Sequence, residues 1–169
     1  MIPRTKYVAG EVLDMKIYDC TANTAQYGQQ TYIQQITPDF DIETLDQQVW
    51  VQGKISMYRA SANRQVLVYA ALDVSTDGFT TDETLCSVTQ TMDSGAQTYA
   101  SYQFSHIHVP TAVGTHAYRI RLYSPSNETI LLGLNNNNGC QMTFVKKHMP
   151  AARLTVNTVD NWTFNTTPP

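Results

Sequence analysis

The stretch Ala117-Tyr-Arg-Ile-Arg-Leu-Tyr123 shows most clearly which fold this sequence adopts. Tyr118, Ile120 and Leu122 alternate along it with Arg119 and Arg121. Successive side chains of a β-strand point to opposite faces of the sheet, so alternation of this kind places one face on a core and leaves the other to solvent or a partner. The stretch therefore predicts a strand of an antiparallel sheet.

The same period of two returns along most of the chain. Between Val12 and Tyr18 the apolar set Leu13, Met15 and Ile17 alternates with polar residues, and we expect that set to face the core. Residues 66–74 are apolar on both faces, which predicts a central strand covered on both sides. No window shows the apolar stripe of an amphipathic helix. Roughly nine strands are predicted, at 12–18, 31–36, 49–58, 66–74, 84–91, 98–109, 117–123, 129–134 and 141–147.

Turn-forming residues separate these strands, for example Ser61-Ala-Asn63, Thr76-Asp-Gly78 and Asp93-Ser-Gly95. Short strands with regular turns predict a sandwich or barrel. We predict an all-β fold: one antiparallel β-sandwich domain of the jelly-roll kind at 10–149, preceded by an N-terminal arm at 1–9 and followed by a C-terminal extension at 150–169. The extension carries apolar residues that need burial, and we expect both ends to lie on a neighbouring subunit.

Composition limits the classes of function. The chain has 169 residues, enough for one domain with its own core. Its net charge of −3 argues against a nucleic-acid partner, which would require a basic surface. No apolar run reaches the roughly 20 residues of a membrane helix, and the first residues contain no apolar signal region, so we expect no membrane partner and synthesis in a host cytoplasm.

The cysteines and histidines are the candidate reactive or metal-binding groups of the sequence. Cys20, Cys86 and Cys140 are odd in number and lack C-x-x-C spacing; free thiols in a reducing cytosol are the simpler interpretation, and one bridge plus a spare thiol stays open. His106 and His108 share one face of a predicted strand, as a two-ligand metal arm requires. No third ligand follows from local spacing, and exposed or interface histidines beside Ile107 are favoured.

Two acidic stretches could bring carboxylates near one another. Residues 73–78 begin like a calcium loop, but the position that needs a bidentate Glu is Thr84, with Glu83 one residue early, so a polar β-turn is favoured. The second stretch, which follows Pro38, is interpreted as a solvated loop. Its acidic residues are Asp39, Asp41, Glu43 and Asp46.

Catalytic chemistry is not indicated. The sequence contains no G-x-S-x-G elbow, no glycine-rich phosphate loop and no cysteine in a nucleophile context, so no catalytic, cofactor-binding or metal-binding residue is assigned and we expect no enzyme. Strand aromatics such as Tyr99, Tyr102 and Phe104 could stack on sugar rings, although cross-strand packing and protein interfaces use such residues more often.

Two segments resemble a known family. Gly10-Glu-Val-Leu-Asp-Met-Lys-Ile-Tyr18 resembles the first strand of compact bacteriophage virion domains with a TNF/C1q-like jelly roll. Gly114-Thr-His-Ala-Tyr-Arg-Ile-Arg-Leu-Tyr-Ser124, followed by Gly139-Cys-Gln-Met-Thr-Phe-Val-Lys146, is similar to their terminal strands. The resemblance spans 10–147 in outline, and it implies a homotrimer in which each subunit buries one sheet face against the others.

The resemblance implies either a capsid ornament or a fibre tip. We expect a bacteriophage head decoration or cement protein on the outer surface of the virion, bound to the major capsid protein. The opening at Met1 without a shaft, together with the extension past the final strand, favours this role. The alternative is a receptor-binding tail fibre tip that recognises a host surface glycan through loops 76–83 and 135–139, and a third hypothesis is an enzyme acting on a polysaccharide.

Overall fold

The computed structural model describes residues 11–20, 26–27, 30–33, 36–59, 65–92, 98–125, 130–132 and 140–149. Within these ranges the chain forms eleven β-strands, and no helix there is long and apolar enough to cross a membrane. The strands are β1 Val12–Cys20, β2 Gln26–Tyr27, β3 Gln30–Tyr32, β4 Asp39–Ile42, β5 Gln47–Arg59, β6 Val66–Ser75, β7 Glu83–Met92, β8 Thr98–His108, β9 Gly114–Tyr123, β10 Ile130–Leu132 and β11 Cys140–His148.

The first sheet is built around β5, the long strand of 13 residues. One flank of β5 pairs with β11 and then with β10, and the other flank pairs with β8. Outside them, β1 pairs with β11 and β2 with β10. Since β10 and β11 run in the same direction along one flank of β5, they act as one interrupted strand. The first sheet therefore has the order β1-β11-β5-β8.

The second sheet is built around β9. One flank of β9 pairs with β4 and β3, the other with β6, and β6 pairs in turn with β7. The order is thus β4-β9-β6-β7, and all pairings in both sheets are antiparallel. In both sheets, strands from the first half of the chain alternate with strands from the second half. This arrangement is a jelly roll, the double Greek key of many capsid and lectin domains. The predicted all-β sandwich is confirmed.

The core lies between the two sheets. Val49, Val51 and Ile55 of β5 face Ile120 and other apolar residues of the second sheet, and all four are fully buried. The alternation quoted for β9 is confirmed, because its arginines lie on the outer face. The hydroxyl of Tyr102 donates a hydrogen bond of 2.8 Å to the carbonyl oxygen of Val68, which joins the sheets inside the core.

Strand β1 contradicts its predicted orientation. Met15 and Ile17 face away from the core and are 54% and 55% exposed. The inward side chains are Lys16, which lies over the ring of Phe40 at 5.0 Å, and Tyr18, which meets Phe144 edge-on. An aromatic ring and an aliphatic lysine stem fill the edge of the core, so the aliphatic residues of β1 are left outside.

Two other strand predictions need correction. The stretch after Pro38 is not a solvated loop, because Asp39–Ile42 forms β4 with Phe40 and Ile42 buried. The predicted strand 31–36 is shorter, since β3 ends at Tyr32, although Ile33 beyond it is fully buried. β4 was missed because its two buried residues alternate with acidic residues that face solvent.

The two chain ends leave the sandwich side by side. The backbone N–H of His148 donates to the carbonyl of Glu11 at 3.2 Å, and that of Met149 to the carbonyl of Asp46 at 2.7 Å. The predicted arm at 1–9 and the whole extension at 150–169 lie outside the described residues. The described chain nevertheless places their points of departure at the same end of the jelly roll.

Candidate functional site

Two features of the surface stand out: a polar pocket at the end of the sandwich, and an apolar row on the outer face of the first sheet. The pocket has a volume of about 310 Å³ and lies between the loop that joins β6 to β7 and the loop that joins β8 to β9. Its lining includes His108, His116, Thr111, Asp82 and Glu83. Clefts of roughly 300–1,000 Å³ are the ordinary size of small-molecule sites.

The histidines of this pocket belong to different sheets. His108 ends β8, His116 lies near the start of β9, and their ring centroids are 5.7 Å apart. Nδ1 of His108 is 2.7 Å from the hydroxyl of Tyr118, which is fully buried. Burial, followed by the neighbouring His116 and His106, lowers the pKa of His108 from 6.5 to about 4. The His108 ring is therefore neutral at neutral pH.

Hydrogen bonding assigns the tautomers of both rings. Within the described part of the chain, the hydrogen of the Tyr118 hydroxyl has one acceptor, Nδ1 of His108, so the His108 proton is on Nε2. Nδ1 of His116 is 3.1 Å from the carbonyl oxygen of Gly114. A carbonyl only accepts, so in the neutral ring Nδ1 of His116 carries the proton and Nε2 is a bare acceptor. One ring offers a donor and the other an acceptor.

One wall of the pocket is a preorganised loop. The hydroxyl of Ser75 accepts from the backbone N–H of Phe79 at 2.9 Å, and the carboxylate of Asp77 accepts from the N–H and the hydroxyl of Thr81. Those hydrogen bonds, from Thr81 and then from Ser75, lower the pKa of Asp77 to about 2. Phe79 has a φ of 66°, a value that non-glycine residues rarely adopt and that must be held by surrounding contacts.

Arg119 clamps this loop onto the second sheet. Its guanidinium lies between two aromatic rings, 3.5 Å from the centroid of Tyr32 and 3.9 Å from that of Phe79. Its Nη2 donates to the carboxylate of Asp82 at 2.6 Å. A planar guanidinium can stack and form an ion pair at the same time, and thus fixes both the loop and its acidic end.

The structure shows where the acidic side chains of the two stretches lie and which groups they bond to. The calcium-loop residues do not converge: Asp73 is fully buried and bonded to Arg121, while Asp77 is bonded within its own turn. The favoured polar turn is thus correct for 76–81. In the described ranges no group of three or more histidine, cysteine or acidic side chains could hold a metal ion. Of the acidic stretch, Asp39 pairs with Lys16 and Asp41 accepts a hydrogen bond from Thr115.

The structure corrects the expected exposure of the β8 histidines and agrees with the favoured packing of the strand aromatics. His106 and His108 lie on the core-facing side of β8, and the exposed residue is Ile107. Tyr102 and Phe104 are buried and offer no sugar-stacking face, and the side chain of Tyr99 and loop 135–139 lie outside the described residues. Sequence reasoning missed His116 as a partner of His108, since only the pairing of the sheets brings them together.

Cys86 has a free thiol, and Cys20 lies opposite Cys140 in the register of β1 and β11.

The second feature is the apolar row. Ile107 lies opposite Trp50, Trp50 opposite Val145, and Val145 opposite Met15, so one residue from each strand of the first sheet forms a line across its outer face. Neighbouring strands are about 4.8 Å apart, which gives the row a length of roughly 14 Å. Ile107 and Met15 are 47% and 54% exposed. Lys147 lies over the Trp50 ring, with Nζ 2.8 Å from its centroid.

The rest of this outer face carries few charges. The outward side chains of β8 beside Ile107 are uncharged, and so are most of those on β5 and β11. They are Ser101, Gln103, Ser105, Gln52, Gln141 and Thr143. A shallow depression of about 480 Å³ lies among them.

No protein-family model matches the chain. No curated protein matches its sequence. Among solved structures, one from the infectious bursal disease virus Gx strain is similar at a TM-score of 0.41 and 12% identity, over 86% of this chain and 43% of that one. The chain thus spans less than half the length of that viral chain. The Eiger TNF of S. frugiperda is similar at a TM-score of 0.34 and 9% identity, over 72% of this chain and 94% of that one. TmCBM61, solved with β-1,4-galactotriose, is similar at a TM-score of 0.25 and 10% identity, over 83% of this chain and 86% of that one.

Proposed function

We propose that this chain is a non-enzymatic structural protein of a bacteriophage virion, a head decoration or cement protein that assembles as a homotrimer on the outer surface of the capsid. The observation that carries the proposal is the apolar row Met15–Val145–Trp50–Ile107 on the outer face of the first sheet. Met15 and Ile107 are exposed at the two ends of this row, while Val145 and Trp50 between them are partly buried, Trp50 beneath Lys147. Single exposed apolar residues are ordinary, but apolar residues aligned across a whole sheet face favour an interaction surface.

The occupant of this face is two further copies of the same chain. In a cyclic trimer, equivalent surfaces approach each other around one axis, and charges near that axis would meet their own copies. Lys54 and Lys147 lie on the neighbouring strands β5 and β11. The outward side chains of β8 beside Ile107 are amides and hydroxyls, such as Gln103 and Ser105, so an axis near β8 avoids this repulsion. These groups both donate and accept hydrogen bonds, so they can pair with copies of themselves.

Attachment to the capsid is assigned to the two ends of the chain. Glu11 and Met149, the first and last described residues, lie at the same end of the jelly roll. In a trimer this supplies six extensions that can grip the major capsid protein, and many weak contacts made together bind through avidity. No nucleic acid and no membrane takes part in this arrangement.

The oligomer is tested by measuring the mass of the protein in solution. We expect three times the 19.0 kDa of one chain. The variant Ile107→Lys with Met15→Lys should fold but run as a monomer, because two side chains worth about 1.5–3 kcal/mol each when buried would be replaced by charges. The control Val113→Lys changes a residue that is 60% exposed but lies off this face, and should stay trimeric. A monomeric wild type, or a trimeric double variant, would rule out this interface.

Capsid binding is tested separately. Deletion of residues 1–9 or 151–169 should leave the trimer intact and abolish its binding to purified capsids in a sedimentation assay. Electron microscopy of the particle should then show the protein on the head. Full occupancy by the truncated proteins would contradict the role of the extensions, and density at the tail tip would replace decoration with receptor binding.

A further inference from the structure

We infer that the pocket between loops 76–82 and 109–113 is a binding site for a neutral sugar, one hexose ring in size. The inference goes beyond capsid decoration, which does not require a small-molecule site. It rests on the pairing of hydrogen-bond donors and acceptors around the cavity, on its size and on the stiffness of its wall.

The polar lining combines groups of opposite character. With both rings in their neutral forms, Nε2 of His108 carries a proton and donates, while Nε2 of His116 accepts; neither nitrogen is bonded to another part of the described chain. Glu83 adds an acceptor carboxylate, and the hydroxyls of Thr76 and Thr111 can do either. A cation would use acceptors alone and an anion donors alone. A sugar hydroxyl donates and accepts at once, so it matches a lining that offers both.

The charges of the lining narrow the chemical class of the ligand further. Asp82 and Glu83 are both in the lining, and the Arg119 that pairs with Asp82 lies on the outer side of the second sheet rather than in the cavity. The carboxylate of Glu83, beside the neutral imidazole of His108, repels acidic sugars and phosphate, whereas the charge of Asp82 is balanced by Arg119. With no three-residue metal cluster in the described chain, a bound divalent cation is not favoured either. A neutral sugar remains.

Size and stiffness agree with this assignment. The cavity of about 310 Å³ is at the small end of ligand sites, which suits one ring rather than a chain of rings. The Ser75–Thr81 turn is bonded internally, and Arg119 clamps it through Phe79 and Asp82. A wall that is already ordered does not lose conformational entropy on binding, which favours affinity for a small ligand.

The experiment uses the full-length protein and four probes: galactose, glucose, mannose and N-acetylglucosamine, each titrated to tens of millimolar. Ligand-observed saturation-transfer NMR measures binding, and the imidazole ¹H–¹⁵N signals of His108 and His116 locate it. At least one sugar should bind saturably and shift both imidazoles. Calcium chloride and sodium phosphate, titrated alone, should shift neither ring.

Matched variants on one loop separate the pocket from its surroundings. Ala112→Trp places an indole in the cavity and should weaken sugar binding by about tenfold or more. Val113→Trp adds the same ring to the next residue, which does not line the pocket, and should leave binding unchanged. Glu83→Gln, at the exposed rim, should weaken binding by about tenfold by removing a charged acceptor, and it tests the site even if Ala112→Trp fails to fold.

Three results would overturn the inference: no saturable binding of any of the four sugars, equal binding by Ala112→Trp and Val113→Trp, or saturation of the imidazole shifts by calcium or phosphate. Each is independent of the oligomer and of capsid attachment, so the sugar site and the decoration role can fail separately.

Discussion

Arg121 holds the carboxylate of Asp73 with two hydrogen bonds, from Nε at 2.8 Å and from Nη2 at 3.1 Å. Asp73 is fully buried on the outer side of β6, and the hydroxyl of Thr84 donates a third hydrogen bond to it at 2.8 Å. The contact with Asp73, above all its hydrogen bonds, raises the pKa of Arg121. This ion pair covers the outer face of β6 and confirms that the strand is covered on both sides near Asp73.

Removing the carboxylate should be costly. Asp73→Ala leaves the guanidinium of Arg121 partly buried without its partner, and we expect a loss of about 3 kcal/mol in the free energy of unfolding. Urea denaturation measures it. The control Asp39→Ala breaks the Lys16–Asp39 pair, whose Asp39 side chain is 63% exposed, and should cost under about 1 kcal/mol. Equal losses in the two variants would show that burial of Asp73 does not matter.

Gly53 is required by the close approach of β11. A Cβ atom added to Gly53 would lie 2.3 Å from the carbonyl oxygen of Gln141 and 2.8 Å from the Cα of Met142. Backbone atoms cannot move aside as a flexible side chain would. Gly53→Ala should therefore lower the free energy of unfolding by about 2 kcal/mol or more. The control Gln103→Ala lies on the exposed side of β8 and should change it by under about 0.5 kcal/mol; wild-type stability of Gly53→Ala would contradict the packing.

Stability should fall with acid through His108. Its pKa is about 4 in the folded chain against 6.5 ordinarily, so between these values the unfolded chain binds the proton more tightly. The stability that neutral His108 contributes is complete above about pH 6.5 and is lost as the pH falls through about 4. The full shift is worth about 3 kcal/mol, and solvent screening of this part-exposed ring should reduce it to about half.

The measurement is the free energy of unfolding at about pH 7 and about pH 4.5. His108→Gln should lose less stability over this interval than the wild type. His106→Gln should keep most of the wild-type slope, because His106 is less buried and lies away from Tyr118. An unchanged slope in His108→Gln would place the acid sensitivity elsewhere.

The long strands were predictable because alternation is a local property. Val49, Val51 and Ile55 are separated by even numbers of residues, so they share one face of the strand, and no distant contact is needed to recognise them. β4 was missed for the opposite reason: its two buried residues, Phe40 and Ile42, alternate with Asp39 and Asp41, and the acidic residues dominate the pattern. The strand exists because β9 pairs with it, which is a contact across the chain.

The candidate pocket was predicted only in part. The sequence suggests loop 76–83 as a glycan-recognition loop and His108 as a possible metal ligand. Neither hypothesis included the meeting of the two, because His108 belongs to the first sheet and the loop to the second. The hydrogen-bond partner of His108, Tyr118, looks in the sequence like any other core residue of β9.

Sequence periodicity alone was enough for the class of fold and for the inward set of β9, since each depends on neighbouring residues. The tertiary structure decided which side of β1 faces solvent and which residues meet at the end of the sandwich. Either face of β1 could have packed inward, and Tyr18 and Lys16 took that place by contacting Phe144 and Phe40 on other strands. Contacts between distant strands are set by how two sheets fit together, and no local pattern encodes that fit.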